Sequence, residues 1–253
     1  MSPQKVLVTG ATGRTGSLVL QKLRQRTEEF EAVGFVRSPE KAEALFGSQA
    51  GFFFGDIKDK STLESALADC KALVILTSAI PQMKAPPEQG ERPEFFYPAD
   101  ETPEAVDYRG QVNQIDAAIA SGVEQIVLVG SMGGTNENHP LNSMGNGKIL
   151  IWKRKAEDYL MRSGIDYTIV RAGGLLDKEG GKRELVVGQN DEMLANPPNG
   201  IPTSIPRPDV AEVVVQALRE ANARNKAFDL ISKPEDDPSA VVTTDFAALF
   251  DRI

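Results

Sequence analysis

Three glycines, at positions 10, 13 and 16, stand in the run "VLVTGATGRTGSLVL", between a short β-branched stretch and an amphipathic one. Their chemistry comes from a missing atom. Without a β-carbon, Gly10 permits a tight turn, Gly13 lets the backbone come against a pyrophosphate, and Gly16 lets helix and strand pack closely. A helix starting there also offers free N–H groups and a partial positive charge to phosphate oxygens. A glycine trio is a weak signal alone; placed after a strand and opening a helix, it marks a dinucleotide loop, with Thr12, Arg14 and Thr15 also contacting the ligand.

Two arginines select the nucleotide. A chain that selects NAD usually carries Asp or Glu at the end of the second strand, for the ribose 2′-hydroxyl. Here "FVRS" puts Arg37 at that place, and Arg14 lies inside the glycine loop. Guanidiniums converging on a 2′-phosphate make charge-assisted bonds of roughly 1.5–3 kcal/mol each, so the expected cofactor is NADP(H), preferred over NAD by about a hundredfold or more. Further along, Asp56, after "FFFGD", is placed to accept from the adenine amino group, with Ile57 beside it. Thr77 and Ser78, after "LVILTS", would line the ribose and pyrophosphate.

The elements that must hold these residues alternate along the chain. Short apolar runs ("KVLVTG", "EAVGFVR", "GFFFGD", "KALVILTS", "EQIVLVGS", "DYTIVRAGG") are each followed by an amphipathic segment or a loop. Near-continuous apolar strands joined by helices predict a doubly wound parallel α/β sheet, a Rossmann fold, covered on both faces. Two insertions interrupt the rhythm. Ala79 to Pro103 is too rich in proline and charge to read as an element, and Met132 to Gly147 is a loop of glycine and asparagine. Both follow predicted strand ends, where open α/β sheets bind ligands. The chain reads as one NAD(P)-binding domain over 1–253, with a cofactor core over 1–171 and a smaller substrate or lid portion over 172–253. That portion holds helices at "PDVAEVVVQALREA" and "TTDFAALF" and a strand at "KAFDLIS".

With the glycine loop, "GDI", "LVILTS", "VLVGS" and "YTIVRAGG" in this order, the chain resembles the atypical short-chain dehydrogenase/reductases, including the NmrA-like group. It is closer still to plant NAD(P)-binding Rossmann proteins of that group, through "GSMGGTN", "NGKILIWKRKAEDYL" and "RAGGLLDKEGGKRELVVG". The resemblance runs over nearly the whole chain and implies the fold and the cofactor. Catalytic members of the wider family carry a serine at the end of the fifth strand. On the next helix they carry a tyrosine with a lysine four residues later, on the same face. Aligning "K…E..L" makes Lys153 the counterpart of that lysine, which holds the nicotinamide ribose, and Ser131 the counterpart of the serine. The tyrosine position is Ile149, so the usual proton donor is missing. Tyr108, Tyr97 and His139 are the replacement donors within reach of the expected cleft, although residues of these types in such places more often serve packing or the surface. Tyr159 lies over halfway round the helix from Lys153.

Hydride transfer without that tyrosine suits a substrate whose reduced form is a delocalised anion, stabilised by Ser131 and Lys153. The expected activity is reduction of a small quinone- or enone-like molecule. The other reading is an NADP(H)-binding redox sensor without turnover.

Composition narrows the setting. The net charge of -8 and pI near 4.9 argue against a nucleic-acid partner. Lone Cys70 excludes an internal disulfide and a cysteine metal cluster, and a single histidine makes a metal site unexpected. No apolar run approaches the ~18 residues of a membrane span. "MSPQKVLVTG" enters a strand at once without a leader pattern, giving a cytoplasmic expectation, with a plastid after transit-peptide removal as the alternative. A monomer and a homodimer, with Trp152 at its interface, both fit.

Overall fold

The computed structural model describes residues 2–87 and 93–253. Eight strands form the central sheet: β1 (Gln4–Thr9), β2 (Phe30–Val36), β3 (Phe52–Phe54), β4 (Ala72–Ile75), β7 (Gln125–Ser131), β8 (Asp166–Ala172), β10 (Leu185–Gly188) and β12 (Lys226–Ser232). Their spatial order is β3-β2-β1-β4-β7-β8-β12-β10. All neighbours are parallel except the edge strand β10, which runs antiparallel to β12. Two small ladders lie outside the sheet: β5 (Gln82–Met83) with β6 (Phe95–Phe96), antiparallel, and β9 (Gly174–Leu176) with β11 (Ser204–Pro206), parallel.

Strand side chains alternate between two cores, which is why the strands read as unbroken apolar runs. Val6, Val8, Val74, Val127, Val170 and Phe228 face one side. There they meet α1 (Gly16–Arg24), α2 (Pro39–Phe46), α8 (Arg207–Arg219) and α9 (Phe246–Phe250). Leu7, Leu73, Ile75, Ile126, Leu128 and Ile169 face the other, against α3 (Ser61–Leu67), α4 (Gly110–Ala120) and α6 (Ile149–Arg162). The short helices α5 (Pro140–Ser143) and α7 (Glu192–Ala195) sit in loops. Cys70 is buried in the second core, and burial pushes its thiol up to about 11, consistent with a packing role.

The first insertion departs from its expected lack of elements. The β5–β6 ladder, continued by a bond from Lys84 N to Glu94 O of 2.9 Å, closes it into a hairpin, and Ala99–Glu101 form a 3₁₀ turn. A two-residue ladder draws on backbone groups alone, so composition could not reveal it. Residues 88–92 of this insertion lie outside the described residues. One π turn, Glu104–Arg109, then leads into α4. Such a turn carries one residue more than an α turn and recurs at functional sites. The second insertion is likewise only partly loop, since it holds α5 and a 3₁₀ turn at Met144–Asn146. Of residues 172–253, β12 and β10 extend the central sheet beyond β8, and α8 packs against α1.

Candidate cofactor and substrate site

The chain leaves β1 towards β2 on one side of the sheet, while β4 lies on the other, so the strand order reverses between β1 and β4. Ligands of open α/β sheets bind outside the carboxyl ends of the strands at such a point. Gly10 stands there with φ +67°, and a β-carbon on it would lie 2.8 Å from Leu76 O at the exit of β4. The Gly13 amide donates to Gly10 O at 2.8 Å, and a β-carbon on Gly16 would overlap that same oxygen. α1 begins with no side-chain cap at Thr15. Its N-terminus, with half-buried Thr12 and Thr15 and exposed Arg14, therefore opens towards an anion. These features fit a dinucleotide pyrophosphate.

The two arginines are both engaged. Arg14 pairs with Asp177, whose carboxylate also accepts from Arg207 Nε at 2.9 Å. Arg37, just past β2, pairs with Glu101 of the 3₁₀ turn. Asp56 accepts from the Lys58 amide at 2.9 Å. Ile57 is buried beside Gly110 at the start of α4, which leaves only its backbone to face a cofactor. Ser78 is exposed at the strand exit; Thr77 is held there by two glutamines of α4. Gln111 donates to its carbonyl at 3.1 Å and Gln114 to its hydroxyl at 3.2 Å.

Lys153 meets Asp107 of the π turn, Nζ to Oδ1 2.7 Å. Asp107 is fully buried, and its other oxygen accepts from the Ala79 amide at 2.9 Å. The Oδ1 contact is a close ion pair without hydrogen-bond alignment. Lys153, one helix away from β4, is thus tied to the β4 exit through one carboxylate. Ser131 ends β7, the neighbour of β4 in the sheet, and its hydroxyl donates only to the carbonyl of Met132, at 3.0 Å. Asp107, Gln111 and Gln114 were not expected from the sequence, yet the signal was there. They recur at i, i+4 and i+7, one helical face, and all three are buried.

The tyrosines separate cleanly. Tyr108 stacks on Trp152, ring centroids 5.6 Å apart, and the Lys155 ammonium lies 4.2 Å from the Trp152 ring centre. The Tyr159 hydroxyl donates to Asp116 at 2.6 Å. Tyr167 packs against the second core. Tyr97, in the first insertion, packs instead on Gly145 and Gly147 just before α6. His139 Nδ1 accepts from the Leu141 amide at 3.3 Å, and its ring lies over Gly133.

Behind Ser131 lies a buried set of charges. Glu157 accepts from Arg171 Nε at 2.8 Å, and Arg154 bridges Glu157 and Asp191 at 3.5 and 3.7 Å. Asp191 accepts from the amides of Gly133 and Thr135 at 2.7 and 2.8 Å, clamping the loop that follows Ser131. Burial alone would raise the Asp191 carboxyl; the two amides, the Thr135 side chain and Arg154 more than offset it, leaving it below the usual range. Because its folded value is depressed, its stabilising contribution is present above the ordinary carboxylate range and is lost as pH falls through the folded value. Asp191→Asn is therefore expected to lower stability by about 1–3 kcal/mol at neutral pH, with the gap closing in acid. Urea melts of both proteins from pH 7 down to pH 3 check this; a gap that stays constant with pH would reject the clamp.

A family model described as NAD(P)H-binding matches residues 10–221. The chain belongs to this NAD(P)H-binding family, as an atypical short-chain dehydrogenase/reductase. Its cofactor is accordingly a nicotinamide dinucleotide. Among relatives, an uncharacterised chloroplastic protein of Arabidopsis thaliana is 56% identical over 99% of this chain and 76% of its own length. Sanguinarine reductase of Eschscholzia californica is 50% identical over 98% of this chain and 95% of its own. A solved structure described as a putative NAD-dependent epimerase/dehydratase from Bacillus halodurans superposes with a TM-score of 0.72 at 24% identity, covering 99% and 100% of the two chains, and shares the fold. No helix among the described residues is long and apolar enough to cross a membrane.

Proposed function

We propose that the chain is an NADPH-dependent reductase of a small, flat, quinone- or enone-like acceptor. The observation that carries this reading is the 50% identity to sanguinarine reductase along almost the whole of both chains, which supports a reductase acting on a small molecule. The structure offers a suitable mouth. Ile80, Met83, Phe96, Leu141 and Leu175 are exposed apolar side chains on the segments that leave the carboxyl ends of β4, β7 and β8. Exposed apolar groups on segments that follow strand ends suit an apolar ring system.

When bound, NADPH supplies the hydride. The glycine loop and the N-terminus of α1 hold the pyrophosphate, Arg14 and Arg37 hold the 2′-phosphate, and Thr77 and Ser78 border the ribose side. Lys153, kept in place by Asp107, presents its ammonium to the nicotinamide ribose and to negative charge growing on the acceptor. Ser131 offers a hydroxyl to the acceptor oxygen. We assign the cofactor to residues 1–171, and the substrate-facing side to the two insertions within that stretch together with the smaller portion 172–253. We place the protein in a plastid, the setting named for the Arabidopsis relative, in preference to the cytoplasm.

The test is NADPH oxidation with a panel of quinones and enones, beside calorimetric titrations of NADP and NADPH. Turnover above the rate without protein supports the reading; tight binding without turnover across the panel replaces it with a redox sensor. In the same titrations Arg37→Asp is expected to erase the preference for NADP over NAD, a change of about a hundredfold. Unchanged affinity for both cofactors would remove Arg37 from the 2′-phosphate site.

A further inference from the structure

α6 carries isoleucine where a proton-donating tyrosine would precede Lys153, yet a phenol reaches that end of the helix from elsewhere in the chain. Tyr97 follows the β5–β6 hairpin, and the Cδ2–Cε2 edge of its ring lies against the backbone that introduces α6. A β-carbon on Gly145 would stand 3.0 Å from Tyr97 Cδ2, and one on Gly147 would overlap Cε2. Gly147 is two residues before Ile149. The absence of side chains at both glycines is therefore what admits the ring. Phe96 leans on the same turn, its Cα 3.2 Å from a β-carbon placed on Gly145, so the two insertions are joined here.

We propose that Tyr97 is the proton donor of the reductase, a catalytic residue delivered by the first insertion to the place vacated on α6. This rests on the reductase reading above. Burial, and next the charge of Asp107, raise the Tyr97 hydroxyl above its usual value. Asp107, whose charge acts on Tyr97, is the same carboxylate that pairs with Lys153. The other three tyrosines are committed to Trp152, Asp116 and the core.

The step balances as follows. Hydride from the dihydronicotinamide forms a C–H bond at the electrophilic carbon of the acceptor, and the electron pair of the conjugated system moves onto its oxygen. The Tyr97 Oη–H bond breaks, an O–H bond forms on the reduced acceptor, and the Tyr97 phenolate regains a proton from water. The nicotinamide is oxidised and the acceptor gains one hydride and one proton. An aromatic iminium acceptor, by contrast, becomes neutral on taking hydride and requires no proton.

Tyr97→Phe keeps the ring on Gly145 and Gly147 and removes only the hydroxyl. With NADP affinity unchanged, it is expected to lower kcat for a quinone or enone by about tenfold, the loss of one hydrogen bond to a delocalised oxyanion, and to leave reduction of N-methylphenanthridinium within about threefold of the unmodified protein. Equal losses on both acceptor types, or no loss on the quinone, would overturn the proposal. A second readout works without turnover: 4-nitrophenolate, a coloured mimic of the reduced but unprotonated acceptor, is titrated in the presence of NADP. Loss of a hydrogen bond to the charged oxygen is expected to weaken its binding about tenfold in Tyr97→Phe. Equal affinity in both proteins would overturn the role of Tyr97. An unmodified protein that binds 4-nitrophenolate through Tyr97 yet reduces no acceptor would keep the phenol aimed at a bound oxyanion and sink the reductase reading instead.

Discussion

Glu157→Ala is expected to cost about 3–5 kcal/mol of folding stability, because it leaves the buried Arg171 guanidinium without its carboxylate and deprives Arg154 of one of its two partners. Little can fill the gap. Gly130, whose β-carbon would overlap Glu157 Oε1, offers no side chain to replace it. Glu157→Gln, which keeps the volume and an acceptor for Arg171, should recover part of the loss. The pH dependence gives a second check. Burial raises the Glu157 carboxyl despite Arg171 and Arg154, so the folded protein takes up this proton at higher pH than the unfolded chain does. Stability from this group therefore falls as pH rises from the ordinary carboxylate range through the raised value, the reverse of Asp191. Relative to Glu157→Gln, the parent protein should become more stable as pH is lowered over that interval, measured by urea melts. A flat difference would mean that Glu157 is not held in its buried pair.

Lys153→Met is the second large effect. It removes the only positive partner within ion-pair distance, among the described residues, of the fully buried Asp107 carboxylate, leaving the Ala79 amide alone to hold it. Breaking a buried pair from one side costs about 3–5 kcal/mol, more than the pair itself is worth. The diagnostic is the double variant. Lys153→Met with Asp107→Asn should recover much of the stability, because no buried charge is left over, while cofactor affinity should stay weak. Thermal melts and NADP titrations separate the two effects. A double variant no more stable than Lys153→Met would show that the pair is not what the helix register rests on.

Periodicity and glycine placement made most of the sheet legible, since each central strand is apolar on both faces and each crossover helix shows one apolar stripe. The edge strand β10 and the β9–β11 ladder escaped because three or four residues carry too little pattern to separate from loop. Around the site, the loop glycines were legible from local spacing, whereas Lys153 was singled out only through the family resemblance. Asp107 could not be paired with Lys153 from the sequence, since their contact joins a π turn to a helix 46 positions later, as the residue numbers give. Glu157 was visible as part of an alignment pattern, but its burial against Arg171 is a property of the β7–β8 and α6 packing. Tyr97 was one of several candidate phenols; only the bare backbone of Gly145 and Gly147 distinguishes it from the rest.

The arginines proposed to hold the 2′-phosphate are not bare. Arg14 is neutralised by Asp177 and Arg37 by Glu101, so an arriving phosphate trades places with a carboxylate that is already there. Binding at these two positions is an anion exchange, and dissolved salt weakens the outgoing contacts together with the incoming ones. Affinity for the nucleotide should therefore vary with ionic strength much less than two solvent-facing guanidiniums would suggest. The carboxylates released by the exchange belong to Glu101, in the segment that carries Tyr97, and to Asp177, just past β9. On the proposed assignment, Glu101 and Asp177 are therefore the residues whose contacts change first when the nucleotide binds.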